Sequence, residues 1–207
     1  MDGLPGLVEG FARAQAHAEI RTRQVSFPTL PAASWLADVD VAISSPVSPD
    51  PDVWVQPLLV EPRVVLTARG QPITGRRELT VEEILDETFV RGGNWVDPVW
   101  AATWSLDEHR GGPPPRLSVE PALDLQGILA TIAAGLAITT APAFHAAAIV
   151  SALPGLVAIP LPDARPIQLS LVGRRDRRGP LVRALSDVAE SLAASAPDGA
   201  SFLSRDT

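Results

Sequence analysis

Hydrophobic positions along the chain alternate between two periods. Leu4, Leu7, Val8 and Phe11 fall at helical spacing and predict an amphipathic helix over residues 4–16. Residues 19–26 read as extended, Pro28 and Pro31 interrupt the chain, and a short helix is expected over 32–37. Val39, Val41 and Ile43 alternate with Asp38, Asp40 and Ala42, the period of a half-buried strand. The stretch SSPVSPDPD at 44–52 is a turn-rich loop, and strands are expected over 53–59 and 63–68. Thr80 followed by Glu83 is a capping box and starts a helix that runs to about Leu85. A strand over 88–91 ends at Gly92-Gly93. Asp97-Pro98 sets a capping residue before a proline at the first helical position, and that helix is expected to reach about Glu108. After a strand over 116–120, Leu125, Ile128, Leu129, Ile132, Ala133 and Leu136 form the cleanest helical stripe in the chain. A buried strand over 137–140, a helix opened by Pro142, strands over 156–159 and 167–173, and a final helix opened by Gly179-Pro180 complete the pattern. The tail from Ala196 is expected to be loose. Alternation of helices and strands predicts α/β sheets with helices on both faces.

Composition narrows the chemistry. Of the 207 residues, 46% are hydrophobic and 20% charged, which excludes disorder as the main state and allows a real core. There is no Cys, so disulfides, thiolate chemistry and Cys-based zinc sites are excluded. There is no Lys either, which removes Schiff-base and P-loop lysine mechanisms. The net charge is −7 and no basic tract is present, so the chain by itself is a poor nucleic-acid binder. The opening MDGLPGLVEG lacks the basic and apolar regions of a secretory signal. From Gly127 to Pro162 the only ionisable side chain is His145, but Pro142 and Pro154 interrupt the run, which reads as packed elements and not as a membrane span.

A catalytic constellation is missing. His17, His109 and His145 stand in no metal-ligand spacing, and no G-x-S-x-G, G-x-G-x-x-G or Walker pattern occurs. Glu82-Glu83 and Asp86-Glu87 read as a solvated helix face, and the RRDRR run at 174–178 as a charged turn. The polar residues after predicted strands are more informative: Ser26, Ser44-Ser45, Gly92-Gly93-Asn94 and Thr139-Thr140. Ligands of open α/β sheets bind beyond the carboxyl ends of strands, where such hydroxyls and amides can hold a small carboxylate or hydroxylated molecule. The helix start at Pro142 adds N–H donors and a positive dipole end. Each of these residues, taken singly, is also what a turn or cap requires. Trp100 and Trp104 are one helical turn apart; such a pair serves a core as readily as an aromatic ligand wall.

In order and spacing, several stretches resemble the effector-binding domain of LysR-type transcriptional regulators. LPGLVEGF at 4–11 is similar to that family's first helix, and DVDVAISS at 38–45 to its D-x-D-x-A strand. EPRVVLTARGQPITGRRELTVEEILDETFV at 61–90 resembles the family's E-P-L-V-L-V segment and the L-x-x-L-x-x-x-P-F-V that follows. DLQGILATIAAGLAITTAP at 124–142 resembles its V-x-A-G-x-G-I-x-x-x-P, and LSLVGRRDRRGPLVRAL at 169–185 its terminal strand and helix. The resemblance implies a type 2 periplasmic-binding-protein-like fold, two α/β lobes joined by two crossing strands with a ligand cleft between them. Lobe I would be residues 1–66 with 166–195, and lobe II residues 67–165.

It further implies a cytoplasmic regulatory domain, not an enzyme, that senses a small-molecule effector without a cofactor or metal. Such a domain forms dimers or tetramers, here through residues 7–14, and reaches DNA only through a helix-turn-helix that this chain lacks. A first strand is expected ahead of Leu4, and the chain begins at the helix instead. By position, Ser26, Phe27, Ser45, Asn94, Trp100 and Thr140 line the cleft; with the strand-end groups the candidate ligand set is Ser26, Phe27, Ser44, Ser45, Gly93, Asn94, Trp100, Thr139 and Thr140. Phe27 stands where many members have a short polar residue, and Gly92-Gly93 replaces a frequent proline. A solute-binding protein of the same fold is the alternative, but it requires a signal or lipid anchor.

Overall fold

The structure, a computed structural model, describes residues 3–25 and 27–195. Ser26 and the tail from Ala196 lie outside the described residues. The chain divides into two compact units: one contains the chain up to Val60 and again from Gln168, the other is Glu61–Ile167. The chain therefore passes between them twice. The first passage comes earlier than the lobe boundary expected from the resemblance, because Arg63–Ala68 is the central strand of the second unit's sheet.

The first unit is built on a three-stranded sheet in the order β1 (Ala42–Ser44), β8 (Ile167–Arg174), β2 (Val53–Glu61). β1 runs antiparallel to β8, with Ile43 opposite Leu171. Helices α1 (Gly3–Ala14) and α7 (Pro180–Ser195) belong to this unit, as does the single turn α2 (Ala32–Trp35). Leu7 and Phe11 are buried, one helical turn apart, which is why that sequence folds as an amphipathic helix. Leu7 joins Trp54, Leu58, Leu171, Val182 and Ala189 in one core cluster. A second cluster joins Ala32, Leu36, Ala42, Val53 and Val172.

The second unit contains the sheet β6 (Thr139–Pro142), β3 (Arg63–Ala68), β7 (Leu156–Pro160), antiparallel throughout, and the parallel pair β4 (Thr88–Gly92) with β5 (Arg116–Ala122). A bridge from Phe89 to Ile138 links the two groups of strands. All six residues of β3 are buried, as a central strand covered on both faces must be. The helices are α3 (Val81–Ile84), α4 (Pro98–Trp104), α5 (Leu125–Ala133) and α6 (Ala143–Ala152). Their starts follow the sequence signals. Thr80 and Glu83 form the reciprocal capping box, Asp97 caps α4 by accepting from the Val99 and Trp100 N–H groups, and Asp124 caps α5 through the Gly127 N–H.

The ends differ from expectation. Residues 19–25 join no sheet, and the strand expected from Val39 is paired only over Ala42–Ser44. α4 stops at Trp104, four residues early, because the fully buried Leu106 takes a left-handed conformation (φ 60°) and a short 3-10 turn follows. α5 stops at Ala133 because Gly135 turns the chain at φ 70°, which leaves Leu136 exposed. Pairing with β3 shifts β6 two residues later, to Thr139–Pro142. The RRDRR run folds as a 3-10 turn, and the chain uses its arginines. Arg174 pairs with Asp176, Arg175 donates to the Pro51 carbonyl, Arg177 donates to the Ala37 carbonyl, and Arg178 covers the Trp54 ring. No described helix is long and apolar enough to cross a membrane.

Candidate functional site

In the first unit the candidate groups stand where β1 ends. Ser44 is the last residue of the strand and Ser45 follows it, both buried. Pairing of β1 with β8 holds this end: Ser44 lies opposite Ser170, also buried. The Ser45 hydroxyl is enclosed, at 3% exposure, and has no hydrogen-bond partner. A buried hydroxyl with nothing to bond costs about 1–3 kcal/mol, so a polar group brought to it would recover that loss. Phe27 is buried, not presented on the surface.

The second unit collects the remaining candidates on three elements. The loop after β4 carries Gly93 and Asn94; Gly93 is buried and Asn94 exposed. The Trp95 ring lies over Gly93: a Cβ there would stand 2.2 Å from it, so a side chain fits only if the ring moves. That ring is 47% exposed, an aromatic face on the same loop as Asn94. Trp95 is absent from the expected set. Its signal in the sequence is an aromatic residue directly after Gly-Gly-Asn. On α4, Trp100 is half-buried and meets Trp104 edge-to-face with ring centroids 5.4 Å apart. Asp97, fully buried at the start of that helix, orients it.

At β6 the two threonines differ. Thr139 is partly buried and donates to the Thr140 carbonyl at 3.3 Å. Thr140, 1% exposed, has its hydroxyl already engaged: it donates to the Trp104 carbonyl at 3.0 Å and accepts from Arg63 Nη1 at 3.2 Å. Arg63 is the centre of a buried network. Its guanidinium also donates to the Arg165 carbonyl at 3.0 Å, to the Thr103 carbonyl, and to Glu108 at 3.1 Å. Burial pulls the Arg63 pKa down, Glu108 opposes this, and Arg165 adds to it. An arginine remains cationic under such pressure, so the fold must neutralise it internally. Thr140 thus serves this framework, which ties the end of α4 to β3 and β6.

The start of α6 holds a group that sequence reasoning overlooked. Pro142 offers no side-chain cap. Instead the Ala143 N–H donates to the Pro62 carbonyl at 2.9 Å, and the Phe144 N–H donates to Glu61 Oε2 at 3.3 Å. Glu61 is buried to 9% exposure. The helix start expected to offer donors to a ligand is therefore met by a carboxylate of the same chain. The next residue, His145, is partly buried; burial lowers its pKa below the ordinary 6.5, with Glu61 acting in the opposite direction. No group of three or more metal-ligating side chains occurs among the described residues.

The architecture is that of a type 2 periplasmic-binding-protein-like domain: two α/β units and a chain that crosses between them twice. The sequence profile of the LysR substrate binding domain matches residues 2–194, and the chain belongs to that family. It is the effector-binding domain of a LysR-type regulator, and the family is one of regulatory domains, not of enzymes. Among solved structures it is similar to the BenM effector binding domain with its effector benzoate. Identity there is 18%, over 98% of this chain and 92% of that one, with a TM-score of 0.68. The effector binding domain of QuiR in complex with shikimate is 17% identical over 91% of this chain and 89% of that one, at a TM-score of 0.65. Full-length CbnR complexed with its target DNA is 16% identical at a TM-score of 0.67; the match takes 91% of this chain and 65% of that regulator. No curated protein matches the sequence.

Proposed function

We propose that this domain senses a small polar metabolite and passes its occupancy to a DNA-binding segment of the same regulator. The observation that carries the reading is the Ser45 hydroxyl: buried, without a partner, at the end of β1 in a domain whose relatives are described with benzoate or shikimate bound. In this reading Ser44 and Ser45 supply the first unit's ligand contacts, together with Ser26 and Phe27. Asn94, Trp100, Thr139 and the backbone at Gly93 supply those of the second, with Trp95 added as an aromatic face. Thr140 shapes that wall from behind, through Arg63 and the end of α4. The domain works in the cytoplasm as a homodimer or homotetramer, with α1 as part of the interface over residues 7–14. Operator DNA is reached through a helix-turn-helix outside these 207 residues. Ligand binding shifts the population between two arrangements of the domain, by as much as its affinities for the two differ.

The test is a thermal melt of the chain against organic acids, their amides, aromatic compounds, sugars and amino acids. A specific binder at 100 times its Kd adds about 2.7 kcal/mol of stability. For a chain of this size that raises the melting temperature by about 5–10 °C. The expected result is one chemical class that raises Tm in the wild type and loses most of that effect in Ser45→Ala. A cooperative melt that no class moves would overturn the reading.

A further inference from the structure

Helices α1 and α7 pack together in the first unit and leave an open groove of about 430 Å³ between them. Gly10 permits the close packing: a Cβ there would stand 2.9 Å from Val188 Cγ1. The groove is lined mostly by apolar groups, among them Ala14, Val188 and Leu192. Arg13 and Asp187 add one charge of each sign, and both are exposed. An apolar groove of this kind invites an occupant that carries apolar side chains next to charges.

The chain itself carries such a segment. Twelve residues, 196–207, follow Ser195, where α7 ends. Pro197-Asp198-Gly199 is a turn signature, which reverses the chain directly after the helix. Phe202 and Leu203 come next, the two large apolar side chains of the segment, and Arg205-Asp206 follows with one charge of each sign. Phe202 is the seventh residue past Ser195, so up to about 23 Å of extended chain lies between them. The groove's furthest lining residue on α7, Ala184, is eleven residues back along the helix, about 17 Å. The apolar pair therefore reaches any part of the groove.

We propose that residues 196–207 turn back at Pro197–Gly199 and dock Phe202 and Leu203 in the groove between α1 and α7, with Arg205 at Asp187 and Asp206 at Arg13. A terminal segment stays loose unless a contact holds it. Here the tether is short, and its effective concentration in the millimolar range lets a weak contact suffice. Gly10, Arg13 and Ala14 also belong to the stretch 7–14 proposed above for self-association. A docked segment covers part of that stretch and opposes assembly. This consequence rests on the assembly reading; docking itself does not.

The experiment reads the Val188 methyl groups and the Gly10 and Ala14 amides by NMR. Wild type, the double variant Phe202→Ser with Leu203→Ser, and a chain ending at Ser195 are compared, each first shown to melt cooperatively. The double variant and the shortened chain are expected to share one set of positions, displaced from those of the wild type. A synthetic 196–207 peptide, added to the shortened chain at about millimolar concentration, should return it saturably towards the wild type. Ala14→Glu, at an exposed position of the groove, should abolish that return. Identical spectra for the three chains would overturn the proposal. So would displacements that grow with protein concentration alongside a larger sedimentation coefficient, because a second copy would then be the occupant. If the peptide acts as expected and loss of the segment leaves assembly unchanged, docking stands and the assembly reading for residues 7–14 fails.

Discussion

The two units treat their buried polar groups in different ways. In the second unit, partners from the same chain meet them, most of them distant in sequence. Arg63 joins Glu108, Thr140 and two carbonyls, Asp163 holds the start of α3, Asp97 holds α4 and Glu61 holds α6. In the first unit the Ser45 and Ser186 hydroxyls, the Trp35 and Trp54 indole N–H groups and the Gln56 side-chain oxygen are all buried without partners. Among the described residues the second unit has fewer such atoms, in Thr67, Arg91 and Trp104. A satisfied network fixes one arrangement; an unsatisfied group is a standing cost that a ligand or a rearrangement can remove. In the proposed reading the difference separates framework from recognition: the Thr140 hydroxyl is committed to hydrogen bonds within the fold, and the Ser45 hydroxyl is not.

Four sets of substitutions test that contrast, in falling order of effect. Arg63→Met should cost about 2–4 kcal/mol in urea unfolding, because it takes the donor from the Thr103 and Arg165 carbonyls and one bond from Thr140, while Glu108 keeps Arg165. A loss below about 1 kcal/mol would mean the network does not hold the second unit.

Gly173→Ala places a Cβ 2.7 Å from the Trp54 ring, which is buried and further covered by Arg178, so the ring cannot retreat. The expected loss is about 1–3 kcal/mol. Gly93→Ala creates an even closer clash, at 2.2 Å, but against the exposed Trp95 ring. Here the ring should swing away, with less than about 1 kcal/mol lost and a red shift of tryptophan fluorescence as the readout. Equal losses at the two glycines would break the argument from burial.

The third set compares hydroxyls directly. Thr140→Val should cost about 1–3 kcal/mol by leaving the Trp104 carbonyl and an Arg63 N–H unpaired. Ser45→Ala should leave the ligand-free domain unchanged, or more stable by up to about 1 kcal/mol, because it removes a group without partners. If the effects of Thr140→Val and Ser45→Ala come out alike, the separation of framework from recognition fails.

The smallest effect concerns acid. The His145 pKa in the fold lies below its ordinary value, through burial first and against the pull of Glu61. The neutral imidazole is therefore the form the fold prefers. Its contribution is fully present above about pH 6.5 and is lost as the pH falls through the folded value. His145→Gln should flatten this acid limb of the stability curve and leave the neutral region unchanged. A limb identical to that of the wild type would assign the acid sensitivity to other groups.

Much of the local structure was readable from the residues. The capping box at Thr80 and Glu83, the caps at Asp97 and Asp124 and the stripe that begins at Leu125 depend on contacts within one turn, and they appear where the spacing predicts. Family membership was readable too, from the order of stretches such as 61–90 and 124–142. Element ends were less so. The early stop of α4 depends on Leu106 entering a core assembled from Val65, Phe89 and Ile138, residues distant in sequence.

Among the site residues, the chain order put Ser45, Gly93 and Asn94 after strands, where they stand, but it also put Thr139 and Thr140 after a strand that in fact contains them, and it did not show which polar groups are already spent. That Thr140 serves Arg63 depends on contacts across 77 residues, and that Glu61 caps α6 on contacts across 83. Sequence determined the elements, the absence of cysteine, lysine and catalytic motifs, and the family, because these rest on local periodicity and composition. Tertiary structure decided the polar partnerships, because a hydroxyl or carboxylate is used up by whatever the fold brings within 3 Å of it, and local sequence does not record that.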